Sequence, residues 1–116
     1  MCAKKQRPVN RPSANKIFLV AEGTGETISK IIKSALAQFG AEVHIEKFVQ
    51  VTTKQEIRKI AKVASREGAL VAFSIVEKEL SDCLLEETEK NGVQTIDVIG
   101  DLIVQLSRFL AQDPLK

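Results

Sequence analysis

The sequence predicts an α/β fold in which a four-stranded parallel sheet has helices on both faces. Short runs rich in Val and Ile alternate with longer segments whose apolar residues recur at helical spacing. The run at residues 70–75 is almost wholly apolar, which is typical of a strand that is covered on both faces. Strands and helices in this alternation form βαβ units with right-handed crossovers. Three helical segments are each followed by a glycine, which favours helix ends: Gly40, Gly68 and Gly92.

The first strand is predicted at residues 17–21, where an apolar run stops at a turn that contains Gly23 and Gly25. The helix after this turn carries an apolar stripe with the spacing i, i+3, i+4, i+7, i+8 and i+11. The stripe consists of Ile28, Ile31, Ile32, Ala35, Leu36 and Phe39. We expect the whole stripe to be buried.

The second strand is predicted at residues 43–51, at an edge of the sheet because it carries charged side chains such as Glu46 and Lys47. The second helix begins at Thr53, because its hydroxyl can cap the first turn while Glu56 reaches back to complete a capping box. We expect this helix to bury the apolar residues of one face, which are Ile57, Ile60, Ala61 and Ala64.

The third and fourth strands are predicted at residues 69–75 and 93–98, and the helices that follow them at residues 77–90 and 101–110. The predicted buried face of the third helix consists of Leu80, Cys83, Leu84 and Thr88. The predicted buried face of the fourth helix consists of Leu102, Val104, Leu106 and Phe109.

A strand order of 2-1-3-4 follows if the chain reverses direction after the first βαβ unit. In such a Rossmann-like sheet, ligands bind outside the carboxyl ends of strands one and three, where the order reverses. This crevice joins residues 22–27 with residues 74–77. The candidate ligand-binding residues belong to the turn and to the ends of the third and fourth strands: Gly23, Thr24, Gly25, Glu26 and Thr27 in the turn, Ser74 at the end of the third strand and Asp97 at the end of the fourth.

Two interpretations of the glycine turn remain open. Its backbone N–H groups, with the positive end of the helix, can hold a phosphate group, or the segment is an ordinary βα turn. The carboxylates of Glu22 and Glu26 repel an anion, so the ordinary turn is favoured. Glu26 either stabilises the first helical turn or holds a metal ion or a ligand hydroxyl. Asp97 is either a functional carboxylate or a cap for the helix after it, and we expect neither catalytic residues nor a metal site.

The composition predicts one folded domain at residues 16–113, preceded by a disordered basic arm at residues 1–15. The first 16 residues contain five Lys or Arg and no acidic residue, which leaves 12 basic and 15 acidic side chains for the body. A body with this charge and without surface aromatic pairs is not typical of nucleic-acid binding. No apolar run is long enough for a membrane span, and the two cysteines lack metal-ligand spacing. We expect a cytoplasmic protein with no nucleic-acid or membrane partner.

Three segments resemble the N-terminal half of the regulatory proteins of pyruvate, phosphate dikinase and phosphoenolpyruvate synthase. Residues 20–27 read Val-Ala-Glu-Gly-Thr-Gly-Glu-Thr and resemble the first strand and turn of that family. Residues 73–79 resemble its third strand and turn, and residues 96–103 resemble its fourth strand and following helix. The resemblance spans residues 16–113, and the order and spacing of the segments make their combination specific.

The resemblance implies a bifunctional regulator whose partner is pyruvate, phosphate dikinase or phosphoenolpyruvate synthase. Such a regulator uses ADP to phosphorylate a threonine of the dikinase, and uses inorganic phosphate to remove that phosphoryl group as pyrophosphate. The nucleotide-binding P-loop of the family lies in a C-terminal half, and no glycine-rich loop ending in Lys and Ser or Thr occurs in these 116 residues. We therefore expect this chain to bind neither ADP nor phosphate as a cofactor and not to be catalytic alone.

Two hypotheses for the function remain. In the first, the chain is the N-terminal half of the regulator, needed for folding, oligomerisation or binding to the dikinase, with homodimer formation left open. In the second, it is a stand-alone binding module that recognises a small anionic ligand or a protein partner in the crevice. A P-loop half encoded immediately downstream would favour the first, whereas a stable, monodisperse protein whose gene ends at Lys116 would favour the second.

Overall fold

The structure, a computed structural model, describes residues 15–115 and has four strands alternating with four helices. The predicted arm lies outside the described residues except for Asn15, which begins the first strand. The elements are β1 (Asn15–Ala21), α1 (Glu26–Leu36), β2 (Val43–Phe48), α2 (Lys54–Glu67), β3 (Leu70–Ser74), α3 (Lys78–Lys90), β4 (Thr95–Asp97) and α4 (Gly100–Leu110).

The sheet is parallel throughout and has the order β2-β1-β3-β4, so the predicted topology and the predicted edge position of β2 are confirmed. In register, Ile17 of β1 lies between Ile45 of β2 and Leu70 of β3. Strand β2 is shorter than predicted, because the backbone of Gln50 turns into the left-handed region at φ 53° soon after Phe48. No helix within residues 15–115 is both long and apolar enough to cross a membrane.

The two faces of the sheet are covered unequally. On one face, α2 and α3 close a cluster of thirteen buried residues that includes Phe18, Val71 and Phe73, and the rings of Phe18 and Phe48 lie 4.9 Å apart. On the other face, the cluster has six buried residues, which come from β1, β3 and α1. These residues are Ile17, Leu19, Ala21, Ile28, Ile32 and Ala72. The larger core therefore lies between the sheet and α2 with α3.

Helices α2 and α3 form as the sequence predicts, and all the residues predicted to be buried in them are buried. The Thr53 hydroxyl accepts a hydrogen bond from the backbone N–H of Glu56 at 3.1 Å, and Glu56 Oε1 accepts from the N–H of Thr53 at 3.1 Å and of Thr52 at 3.0 Å. The hydrogen bonds that the Glu56 carboxyl accepts lower its pKa, and the bond from the backbone N–H of Thr52 has the largest effect. After α2, Gly68 has φ 66° and ends the helix as predicted.

The predicted stripe of α1 is wrong in its outer part. Only Ile28, Ser29 and Ile32 of this helix are buried, whereas Ile31, Ala35 and Phe39 are exposed. Helix α1 ends at Leu36, so Phe39 lies beyond it, and Ile31 is on a side of the helix that points away from the sheet contact. Gly40 does not end the helix, because the chain leaves the helical conformation several residues earlier.

The predicted burial of α4 is also wrong, because none of its residues is buried. The prediction assumed that the apolar side of this helix packs on the sheet. In the structure, Leu102, Val104, Leu106 and Phe109 are all exposed to solvent. The amphipathic pattern is present, but no part of residues 15–115 covers it.

We expect Thr53→Ala to lower the midpoint of thermal unfolding by about 4–8 °C, because removal of a helix cap of this kind costs about 1 kcal/mol in a domain of this size. The transition is measured by circular dichroism, since the sequence has no Trp or Tyr. Thr52→Ala is the matched control, because the neighbouring Thr52 contributes its backbone N–H to the cap and the substitution keeps that group. Equal midpoints for the two variants would show that the hydroxyl of Thr53 does not stabilise α2.

Candidate functional site

The predicted crevice is bridged by one carboxylate, that of Glu22, which follows β1. Its Oε1 accepts a hydrogen bond from the backbone N–H of Val76 at 2.8 Å, and its Oε2 accepts from the N–H of Glu77 at 3.1 Å. Val76 and Glu77 follow β3 and lead into α3. The loops after β1 and β3 are therefore joined at the point where the strand order reverses.

This bridge occupies the N–H groups that lead into α3, one of the two helix starts at the crevice. The N–H groups at the start of a helix have no partners within the helix and attract negative groups. Glu77, the residue before α3, makes no side-chain cap, and the carboxylate of Glu22 serves this helix start instead. The sequence predicts that Glu22 repels an anion, and in the structure its carboxylate itself accepts hydrogen bonds from the N–H groups of Val76 and Glu77. The sequence signal was a third helix without a capping residue.

The glycine turn is packed tightly against the segment after β2. A Cβ atom on Gly25 would lie 2.9 Å from Cγ1 of Val49, and Gly25 has φ 79°, a conformation that other residues rarely adopt. The N–H of Gln50 donates to the carbonyl of Gly23 at 2.9 Å. A Cβ atom on Gly23 would have no atom of the described residues within 4 Å, apart from those of its chain neighbours. The requirement for glycine at position 25 is thus explained by backbone conformation and packing, as in an ordinary βα turn.

The other candidates near the turn lie at the same edge of the sheet. Thr24, Glu26 and Thr27 are exposed, and the hydroxyl of Thr24 accepts a hydrogen bond from the N–H of Glu26 at 3.4 Å. Ser74 is half-buried at the end of β3 and pairs with Ala21 in register. The structure therefore brings residues 23–27 and Ser74 together, as the topology predicts, with three polar side chains facing solvent.

Asp97 lies at the end of β4 and is engaged by the start of α4. Its Oδ1 accepts a hydrogen bond from the N–H of Gly100 at 2.8 Å, and a Cβ atom on Gly100 would overlap the same carboxylate. Of the two roles that the sequence left open, this contact supports capping.

An open cleft of about 490 Å³ lies beside Glu22, on the side of α2 and α3 rather than on the side of α1. It is lined by Glu22, Val51, Thr52, Lys54, Glu77, Glu79 and Leu80. Three carboxylates against one ammonium group make its electrostatic potential unfavourable for phosphate. Sequence reasoning missed this cleft, because Thr52 and Lys54 lie in the loop and helix after β2 and had no motif to mark them. No group of potential metal ligands occurs within the described part of the chain.

We expect Gly25→Ala to destabilise the domain more than Gly23→Ala, because a side chain at position 25 must adopt a left-handed backbone and displace Val49. Backbone strain of this kind costs about 1–3 kcal/mol, which corresponds to a fall in the unfolding midpoint of more than about 4 °C. Circular dichroism gives both midpoints. Equal tolerance at the two positions would contradict the close packing between the turn and Val49.

We expect Glu22→Gln to lower stability by about 1–3 kcal/mol, because the amide can accept only one of the two hydrogen bonds that the carboxylate accepts. Glu79→Gln is the matched control, since it removes a charge from the same cleft and the same end of α3 while leaving the bridge intact. The amide resonances of Val76 and Glu77 should shift in the first variant and stay in place in the second. Unchanged resonances in Glu22→Gln would mean that the bridge is absent in solution.

Comparison with known proteins identifies relatives along most of the described chain. A protein of Sorangium cellulosum is 37% identical over 104 residues, which cover 89% of this chain and 37% of that protein. Proteins of Geobacter sulfurreducens and Shouchella clausii are 30% and 32% identical, over 90% and 84% of this chain. All three carry the name of pyruvate, phosphate dikinase regulatory protein.

The chain spans less than two fifths of the length of these curated relatives. The family described as Kinase/pyrophosphorylase matches residues 17–116, which include all of the helices and nearly all of the sheet. The resemblance of the turn and strand ends to this family is therefore confirmed over the whole domain. The chain belongs to the kinase/pyrophosphorylase family.

Proposed function

We propose that this chain is the N-terminal domain of a regulator of pyruvate, phosphate dikinase or phosphoenolpyruvate synthase, and that it does not transfer phosphoryl groups by itself. The observation that carries the proposal is the family match over residues 17–116. The whole regulator uses ADP to phosphorylate a threonine of the dikinase and inorganic phosphate to remove the phosphoryl group. In this proposal, the nucleotide chemistry belongs to another part of the regulator.

The charges at the switch point support the second half of the proposal. Phosphoryl transfer requires a cradle of donors, a cation and a Lys or Arg that converge on one group. Here the N–H groups that lead into α3 already bind Glu22, and the exposed Glu26 begins α1. Lys54 is the one basic side chain that lines the adjoining cleft, beside three carboxylates. This arrangement disfavours the phosphates of ADP.

The domain then contributes structure and binding rather than chemistry. The exposed side chains of Thr24, Glu26 and Thr27 at the switch point, and the acidic cleft beside them, offer a surface for a protein partner with basic side chains. We propose the dikinase as this partner. The alternative of a stand-alone module for a small anionic ligand is disfavoured, because the cleft repels anions.

We expect calorimetry of this chain with ADP and Mg²⁺ to show no affinity tighter than about 1 mM, or about −4 kcal/mol. In a second measurement, pyruvate, phosphate dikinase or phosphoenolpyruvate synthase is incubated with ADP and this chain, and each enzyme should keep its activity and remain unphosphorylated. The full-length Sorangium cellulosum relative is the positive control in both measurements.

Micromolar affinity for ADP, or phosphorylation of a dikinase threonine by this chain alone, would contradict the proposal of a non-catalytic domain. If the control inactivates the dikinase and this chain competes with it, the domain binds the dikinase without modifying it. If the chain does not reduce the rate of the control even in large excess, the proposed contact with the dikinase is wrong.

A further inference from the structure

Helix α4 presents a continuous apolar surface that nothing in residues 15–115 covers. Four of its side chains, which we name the α4 stripe, recur at i, i+4, i+7 and i+8 and thus lie on one side of the helix. Their exposed fractions are 57% for Leu102, 48% for Leu106, 84% for Phe109 and 58% for Leu110. The helix has no buried residue, although its sequence is amphipathic.

The polar residues of α4 show that the stripe has a direction. Asp101, Gln105 and Arg108 fall outside the stripe, and the exposed Val104 lies among them, so the stripe contains most but not all of the exposed apolar side chains of α4. Burial of a Leu or Phe side chain is favourable, so four of them together favour a cover strongly. Such a patch marks a binding surface for another polypeptide.

Helix α4 begins on the less covered side of the sheet. Val98, just before α4, packs against the cluster of β1, β3 and α1, so α4 starts on the α1 side. Two further apolar residues on this side are exposed, Ile31 of α1 and Ile96 of β4, which pairs in register with Ala72 of the same cluster. Among residues 15–115, the face to which α1 alone of the helices contributes buried residues is therefore the face on which α4 begins.

The chain turns back toward the stripe after α4. Ala111 has φ 52°, the N–H of Gln112 donates to the carbonyl of Ser107 at 3.1 Å, and the hydroxyl of Ser107 donates to the carbonyl of Gln112 at 2.7 Å. Pro114 and Leu115 consequently line a groove of about 200 Å³ with Leu106 and Leu110. Residues 114 and 115 therefore lie next to the stripe.

We propose that the α4 stripe is the surface on which the remainder of the regulator packs, through an apolar surface of its own. This inference rests on the proposed function, in which the domain is one part of a larger regulator. The matched part accounts for 37% of the Sorangium cellulosum relative, so about three fifths of that protein lies outside it and is available as the cover.

A second copy of this chain fits the stripe less well. A stable interface between separate chains commonly uses roughly 20–30 residues on each side, far more than the four side chains of the stripe. A covalently linked segment needs less contact area, because the linkage gives it a high effective concentration beside the surface. The small size of the stripe therefore favours a linked domain as its cover.

Hydrogen–deuterium exchange of this chain and of the full-length Sorangium cellulosum relative tests the inference. Peptides from residues 101–110 should exchange rapidly in this chain, and the aligned segment should exchange at least about tenfold more slowly in the relative. Peptides from α2, which is buried in the core, should be protected in both proteins and serve as the internal control. Comparable rapid exchange of the α4 segment in both proteins would overturn the inference.

The second-copy alternative is tested with variants of this chain. Leu106→Glu places a charge on the stripe, and Gln105→Glu places the same charge beside it, off the stripe. We expect the wild-type chain and both variants to sediment as monomers with equal unfolding midpoints, because Leu106 is exposed. A dimer that dissociates in Leu106→Glu but not in Gln105→Glu would assign the stripe to a second copy and overturn the inference.

These measurements are independent of the phosphorylation assays. If this chain proves to phosphorylate the dikinase, the proposed function fails, while the exchange rates still report whether α4 is covered. If α4 exchanges rapidly in the relative while the chain is inactive with ADP, the interface is wrong and the proposed function stands.

Discussion

The two hydrogen bonds from Val76 and Glu77 to the carboxylate of Glu22 are the constraint on which the switch point depends. They tie the loop after β1 to the loop after β3 across the line where the strand order reverses. They also place a further negative group at the start of α3, in addition to Glu79 of its first turn. One side chain therefore joins two loops and occupies the N–H groups that lead into α3, which would otherwise attract an anion.

The second constraint is the unequal cover of the sheet. Because β2 lies at the edge and the chain then crosses to β3, both α2 and α3 lie on one face of the sheet. Their buried residues belong to a single cluster of thirteen. On the opposite face, α1 is the one helix of residues 15–115 that contributes to the buried cluster, and Ile31 on its outer side is exposed. Helix α4, which begins on this side of the sheet, has no buried residue. Topology, rather than the composition of any one helix, decides which apolar side chains find partners.

The sequence predicts well what local pattern determines and poorly what distant contacts determine. Residue spacing and the positions of glycines predict the capping box of Thr53 and Glu56, the buried face of α2 and the strand order. The partners of Glu22 lie 54 and 55 residues away, and the approach of Val49 to Gly25 depends on the path of a neighbouring loop. The amphipathic pattern of α4 shows that the helix has an apolar side, but a pattern cannot say which segment covers that side.

The buried polar side chains of this domain have hydrogen-bond partners, whereas some of its apolar side chains lack packing partners. Within residues 15–115, no buried side-chain nitrogen or oxygen lacks a hydrogen-bond partner, and the carboxylates of Glu22 and Asp97 are bound by backbone N–H groups. The large apolar side chains of residues 15–115 that lack packing partners are concentrated in the α4 stripe. At the start of α3 a small anion would have to displace the carboxylate of Glu22, whereas an apolar polypeptide surface on the α4 stripe would displace only water. This asymmetry favours packing against protein over recognition of a small charged ligand.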